Sequence, residues 1–341
     1  MPCAIGVADG GMSLRSWFAE GERPGVEWQA MELLSAQATA ALLPYPALVE
    51  TLAEVLRDRW AGTATAPPRQ AVSLAGGGTL LLMPATDGEL AVTKLVTVHL
   101  DNAKHGLPAV QADVVVLDAR TGRRLFILDG ATVTARRTAA LSLLAARLLA
   151  PNPAGPLLIV GAGTQGRSHL DAFAEGLEVR EAYIVSRTLA HAQALAEHAR
   201  QRGMEAHALA EAGSILDRAK LIVTATTSTT PVLQEGIRPD AFVAAVGAYR
   251  PDMAELPPAL VRRAQLYVDT LEGAQAEAGD LIQAGIDWSS VTPLEAALDA
   301  EKPATGPVVF KSVGHALWDL GAARAAARLK MSASLPSDSS R

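Results

Sequence analysis

LLIVGAGTQGRSHLDAF, residues 157–173, joins four consecutive apolar residues to a turn containing Gly161, Gly163 and Gly166, then continues with a helical pattern. An apolar strand, a glycine-rich turn and a helix in that order make the phosphate-binding corner of a dinucleotide site. Gly161 permits the tight turn, Gly163 leaves the backbone open to a pyrophosphate, and Gly166 lets the helix pack closely on the strand. The free amides at the helix start, around Thr164 and Gln165, and the positive end of the helix dipole would receive the anion.

Downstream, strand candidates at Ala182–Ser186, Leu221–Ala225, Phe242–Val246 and Leu266–Asp269 are separated by segments of helical length. This alternation predicts a Rossmann-type, doubly wound parallel sheet in an α/β protein. Upstream, between Arg69 and Gly130, the segments AVSLA, TLLLM, LAVTKLVTV, ADVVVLD and RRLFILD are punctuated by GGG, TDGE and ARTG turns. They predict a second, antiparallel sheet built from hairpins, part of an α+β unit. Gln29 to Arg59 reads as mainly helical with a break around Pro44 and Pro46, and from Thr134 the segment ARRTAALSLLAARLLA leads as a helix into the glycine corner. Near the end PVVFKS reads as a strand, VGHALWDLGAARAAARLK as a closing helix and MSASLPSDSSR as a loose tail.

The chain has 341 residues, 49% of them hydrophobic and 19% charged, which is the balance of a globular protein large enough for two cores. A net charge of −6 without a Lys/Arg run excludes a nucleic-acid footprint. A single cysteine, Cys3, excludes an internal disulfide and a thiolate metal cluster, and neither HExxH nor CxxC spacing occurs, so no metal is expected. The opening MPCAIGVADGG lacks a basic region followed by an apolar run, and the most apolar stretch, Ala139–Ala150, contains Arg147 and is too short for a bilayer. The expectation is a cytoplasmic protein with no membrane partner.

The strand after the glycine corner ends in Ser186, Arg187 and Thr188, where an NAD site usually carries Asp or Glu for the ribose hydroxyls. A guanidinium beside two hydroxyls suits a 2′-phosphate, so the reading favours NADPH, with NADH weaker; the alternative is a merely solvated Arg187. In the β-rich half, period-2 alternation puts Lys94 on one face with Val92, Val96 and Val98. A lysine on an apolar face needs a partner, which a small carboxylate ligand would supply with Arg69 beside it. Spacing alone leaves open a solvated lysine on an edge strand. His99, in VTVHLDN, reads as a strand-end histidine, and Trp288 and Trp318 as packing residues.

TKLVTV, DGATVTARRTAALSLLA, LIVGAGTQG, AAVGAYRPDMAEL, YVDTLEGAQAEAGD and VFKSVGHALWDL, spread in this order over about residues 69–325, together resemble the ornithine cyclodeaminase/μ-crystallin family. The resemblance implies a substrate-binding and dimerisation domain at 1–133 and 306–330, an NADP-binding Rossmann domain at 134–305, a flexible tail at 331–341 and a homodimer. It implies that Arg69 and Lys94 grip a substrate carboxylate and are the catalytic residues, and that Arg137 and Thr138 lie against cofactor and substrate. It further implies that Thr226, Thr227 and Val246 lie near the dinucleotide and Ser312 near its nicotinamide end.

One departure bears on the chemistry. Where cyclodeaminases and related alanine dehydrogenases have G-x-D-x-P-G-K, this chain reads Gly247-Ala248-Tyr249-Arg250-Pro251-Asp252, with Tyr249 at the aspartate position. That speaks against ornithine deamination and amino-acid oxidation. The segment is most similar to those of the family's ketimine reductases, which implies reduction of a small anionic cyclic imine, Δ1-pyrroline-2-carboxylate to L-proline or Δ1-piperideine-2-carboxylate to L-pipecolate. For the proton at nitrogen, Lys94, Thr97, His99 and water compete. A cyclodeaminase, an amino-acid dehydrogenase and a μ-crystallin-like NADPH-dependent ligand-binding protein are the alternatives.

Overall fold

The computed structural model describes residues 31–303 and 306–334. The first sheet has six strands: β1 (Glu32–Leu33), β2 (Gln70–Ser73), β3 (Thr79–Thr86), β4 (Leu90–Val98), β5 (Val110–Asp118) and β6 (Arg124–Asp129). Their order is β1-β6-β5-β4-β3-β2, antiparallel except for the short parallel β1–β6 pair. This is the hairpin sheet that the sequence predicts. Lys94 lies in β4, which is central rather than an edge strand, so the solvated-lysine reading does not hold.

Helices α1 (Ala36–Ala41) and α2 (Tyr45–Trp60) precede β2, with Pro44 and Pro46 between and at the start of them, as the predicted break requires. Helix α3 (Gly130–Leu149) begins four residues before the expected start at Thr134, because Asp129 caps it: its carboxylate accepts from Thr132 N at 2.7 Å.

The second sheet holds β7 (Leu157–Val160), β8 (Glu181–Val185), β9 (Glu205–Leu209), β10 (Leu221–Thr224), β11 (Phe242–Ala245), β12 (Gln265–Val268), β13 (Val291–Pro293) and β14 (Val308–Lys311). All its pairings are parallel, in the order β13-β12-β14-β11-β10-β7-β8-β9. The chain moves outward from β7 through β8 to β9, then returns to β10 on the other side of β7. That reversal opens a crevice at the carboxyl ends of the strands. Helices α4 (Thr164–Gly176), α5 (Leu189–Arg200), α6 (Pro258–Arg263), α7 (Leu271–Glu277) and α8 (Gly279–Ala284) connect the strands, and α9 (Ala316–Ser334) closes the chain. The central strands β7, β10, β11 and β14 are buried at every position, as a sheet covered on both faces demands.

Two expectations are corrected here. Residues from 306 were assigned to the first unit, yet β14 pairs with β11 and β12 inside the parallel sheet. The tail was expected from residue 331, but α9 holds residues 331–334 as well, because Met331 to Ser334 carry neither Gly nor Pro to stop the helix. The rest of that tail and the first 30 residues lie outside the described residues.

Helix α3 packs against both sheets, and one continuous apolar core joins Val92, Val114 and Leu128 of the first sheet to Ile159, Val223 and Phe310 of the second. A second core covers the opposite face of the parallel sheet, around Leu158, Ile222, Val243 and Val309. No described helix is long and apolar enough to cross a membrane.

Candidate active site

The glycine corner has the geometry its sequence calls for. Gly161 has φ +112°, and a Cβ there would run into the Ala225 carbonyl. A Cβ on Gly166 would collide with the Gly161 carbonyl, whereas one on Gly163 would meet nothing. The turn is therefore closed on the protein side and open toward a ligand, and Thr164 and Gln165 begin α4 beside it. This cradle fits a dinucleotide pyrophosphate.

Because the strands are parallel, Ser186–Thr188, Thr226, Thr227, Val246 and Ser312 all follow carboxyl ends of the same sheet edge as this turn. Arg187 is exposed and makes no hydrogen bond or ion pair among the described residues. The loops that carry the others are fixed by buried carboxylates that sequence reasoning missed. Glu255, fully buried, accepts from Thr226 N at 2.6 Å, Thr226 Oγ1 at 2.8 Å, Thr224 Oγ1 at 3.0 Å and Gly247 N at 2.7 Å. Its own backbone N–H donates to Asp280, which pairs with the buried Lys311 Nζ at 2.9 Å. Asp269, also fully buried, accepts from Ser312 Oγ at 2.8 Å, Val313 N at 3.2 Å and Gly314 N at 2.8 Å. The Ser312 and Thr226 hydroxyl protons thus serve the protein's own carboxylates, which position these loops for a ligand.

The cationic residues gather where β4, α3 and α9 meet. Lys94 is 3% exposed, and its Nζ lies 2.9 Å from Asp319 Oδ2 and 3.4 Å from Thr134 Oγ1. Arg137 Nε donates to the other oxygen of Asp319 at 3.2 Å. Thr134, Arg137 and Thr138 share one face of α3 by i, i+3 and i+4 spacing. Thr138 Oγ1 donates back to the Thr134 carbonyl at 2.7 Å, and Gln165 Nε2 donates to that same carbonyl at 3.4 Å. Thr134 therefore touches both the lysine and the helix of the glycine corner.

Arg69 donates to Glu277 at 2.8 Å and to the Gly314 carbonyl at 3.1 Å, while the Arg137 guanidinium stands next to the same Gly314. Arg69, Met83, Gly314 and His315 line a small cavity. Burial pushes the Lys94 ammonium down to about 8 against the pull of Asp319, with the Arg137 and Arg69 charges acting in the same direction as burial. Burial likewise raises the Glu277 carboxyl above its ordinary value against Arg69, and lowers the His315 imidazole. Arg69 is matched by Glu277, whereas Lys94 and Arg137 share the single carboxylate of Asp319. That triad thus has one positive charge to spare, which suits one carboxylate.

Asp319, Glu277 and His315 escaped the sequence reading. His99 follows the end of β4, where its backbone N–H donates to Ala109 O at 2.8 Å, and its ring packs over Gly78. Trp318 is fully buried, as a packing residue should be. Tyr249 is 47% exposed beyond β11, next to an exposed Arg250–Asp252 pair.

The sequence pattern of the ornithine cyclodeaminase/mu-crystallin family matches residues 30–329. A Delta(1)-pyrroline-2-carboxylate reductase of Burkholderia multivorans is 41% identical over 295 residues, covering 86% of this chain and 94% of its own. A Delta(1)-pyrroline-2-carboxylate/Delta(1)-piperideine-2-carboxylate reductase of Azospirillum brasilense is 40% identical, with 86% and 94% covered. Among solved structures, the Delta(1)-pyrroline-2-carboxylate reductase of Thermococcus litoralis, in complex with NADH and L-proline, superposes with a TM-score of 0.81 at 28% identity, over 89% of this chain and 99% of that one.

Proposed function

The chain belongs to the ornithine cyclodeaminase/mu-crystallin family, and from that premise we propose that it reduces small cyclic ketimine acids with a nicotinamide cofactor. The substrates are Δ1-pyrroline-2-carboxylate, giving L-proline, and Δ1-piperideine-2-carboxylate, giving L-pipecolate. The observation that carries this reading is the buried Lys94–Asp319–Arg137 cluster with its surplus positive charge next to the dinucleotide cradle.

A nicotinamide cofactor held in the glycine cradle would supply the hydride for reduction of the C=N ring at C2. The protein's residues have three tasks: to hold the ring by its carboxylate, to keep water from the cluster, and to provide a proton at nitrogen, which balances the reduction to a secondary amine. Lys94, Arg69 and Arg137 hold the carboxylate. The proton comes from within the same cluster, where burial moves both Lys94 and Glu277 toward neutrality and so toward easy proton exchange. Gly161, Gly163, Thr164, Gln165 and Gly166 seat the pyrophosphate, and Thr226, Thr227, Val246 and Ser312 border the nicotinamide half. NADPH is the preferred cofactor, because Arg187 is available and no carboxylate follows β8 to repel a 2′-phosphate.

The division of labour follows the sheets, with the antiparallel sheet and the helix that leaves it supplying the substrate cations and the parallel sheet the dinucleotide seat. The working form is a homodimer in the cytoplasm. Purified protein given either imine acid should oxidise NADPH faster than NADH, followed by the loss of reduced-nicotinamide absorbance. No oxidation of either cofactor with either imine would overturn the proposal.

A further inference from the structure

Beside the glycine corner, a groove of about 320 Å³ runs between α4 and α5. Gly163, Thr164 and Arg167 line it from α4 and the turn, and His191, Leu195 and His198 from α5. Residues 191, 195 and 198 are spaced by four and three, so they form one helical face turned to the groove. Every ionisable side chain on its wall is basic.

The nearest acid, Asp171, is already committed: its Oδ1 accepts from His198 Nε2 at 2.7 Å and from Arg202 Nε at 2.8 Å. Arg167 Nη2 lies 3.2 Å from His198 Nδ1. A guanidinium only donates, so Nδ1 must accept, and the ring proton then sits on Nε2 facing Asp171. Arg202 Nε also approaches Nε2, at 3.2 Å, but since that nitrogen carries the proton, its donor serves Asp171. Asp171, His198 and Arg167 thus form a strut that braces the guanidinium, whose remaining N–H groups have no partner among the described residues. Arg187 stands in the turn between β8 and α5, also without a partner among the described residues.

We propose that Arg167, positioned by His198 and Asp171, is a specificity-determining residue that binds the 2′-phosphate of the cofactor's adenosine, with Arg187 as its second cation. The inference rests on the NADPH reading and extends it. A pyrophosphate on the Gly163 and Thr164 amides brings the adenosine ribose to the mouth of this groove, and a phosphate dianion finds there the open donors of a preoriented guanidinium. A bare 2′-hydroxyl gains little from such a wall, having no carboxylate to donate to.

The test is calorimetric titration with adenosine 2′,5′-bisphosphate and with 5′-AMP, neither of which needs turnover. Wild-type protein should prefer the bisphosphate. Arg167→Ala should weaken the bisphosphate by about tenfold or more and leave 5′-AMP unchanged, and His198→Ala should weaken it by a smaller factor, since the arginine remains but loses its brace. If the wild type binds the two nucleotides equally, the NADPH reading fails and this inference with it. If the wild type prefers the bisphosphate, Arg187→Ala removes the preference and Arg167→Ala does not, NADPH stands and the role of Arg167 is overturned.

Discussion

Lys94 sits where a hydrophobic face should continue, and its proton affinity records the conflict. Burial lowers it to about 8, while Asp319 keeps it from falling further. Under the proposed function this sets a pH limit on catalysis. The profile of kcat/KM reports groups of the free enzyme, so it should fall as pH rises through about 8, when Lys94 loses the charge that holds the substrate carboxylate. Lys94→Arg keeps a charge at all accessible pH and should move that limb upward; an unmoved limb would assign it to another group. Lys94→Ala should cost about 10- to 100-fold in kcat/KM, mostly through KM, with adenosine bisphosphate binding intact. The lysine was legible in the sequence because alternation along a strand is a local property. Asp319 was not, since 225 residues separate the pair and only the fold brings α9 across β4. Glu277 is 208 residues from Arg69 and was hidden for the same reason.

At the scale of elements, Asp269 turns the end of β12 into an anchor for the neighbouring strand's exit. Its Oδ2 gathers Ser312 Oγ and the Val313 and Gly314 amides, and the Gly314 carbonyl in turn takes the Arg69 guanidinium. Gly314 needs its φ of +88° to make that bend, and Arg137 fills the space above it. Asp269→Asn should therefore loosen Arg69 without touching it. The KM for the imine acid should rise roughly three- to tenfold with kcat little changed, and binding of adenosine bisphosphate should stay the same. Equal losses in all three would mark Asp269 as a folding residue only. The glycine corner and most strand positions were readable because turn chemistry and apolar runs are written locally. The register of β14 was not, because VVFK specifies a buried strand and says nothing of its neighbours. β9 was overlooked because EAHAL, between alanine-rich stretches, has weak strand propensity and gains its place from pairing with β8.

At the scale of the molecule, the antiparallel sheet covers only one of its faces. Lys94, Val92, Met83, Val114 and Leu128 point into the core; Leu33, Val72 and Leu95 point outward and are exposed, beside the half-buried Leu80, Leu82, Val115 and Ile127. A broad apolar sheet face of this kind marks an interface, and the proposed homodimer would bury it. Leu95→Asp, in the middle of that face, should shift the protein from dimer to monomer in sedimentation velocity; an unchanged dimer would place the interface elsewhere. Inside one protomer the opposite holds, since α3 is walled by both sheets and Thr134 is shared by Lys94 and Gln165. This limits how the chain can be recombined with its relatives. A crossover at residue 134 would graft all but the first turn of α3 onto a foreign lysine, and one at 306 would insert a borrowed β14 between β11 and β12. Exchange of cofactor preference by swapping whole halves should thus yield insoluble chimeras, and evolution within this architecture is left to work through point changes such as those at Arg167 and Arg187.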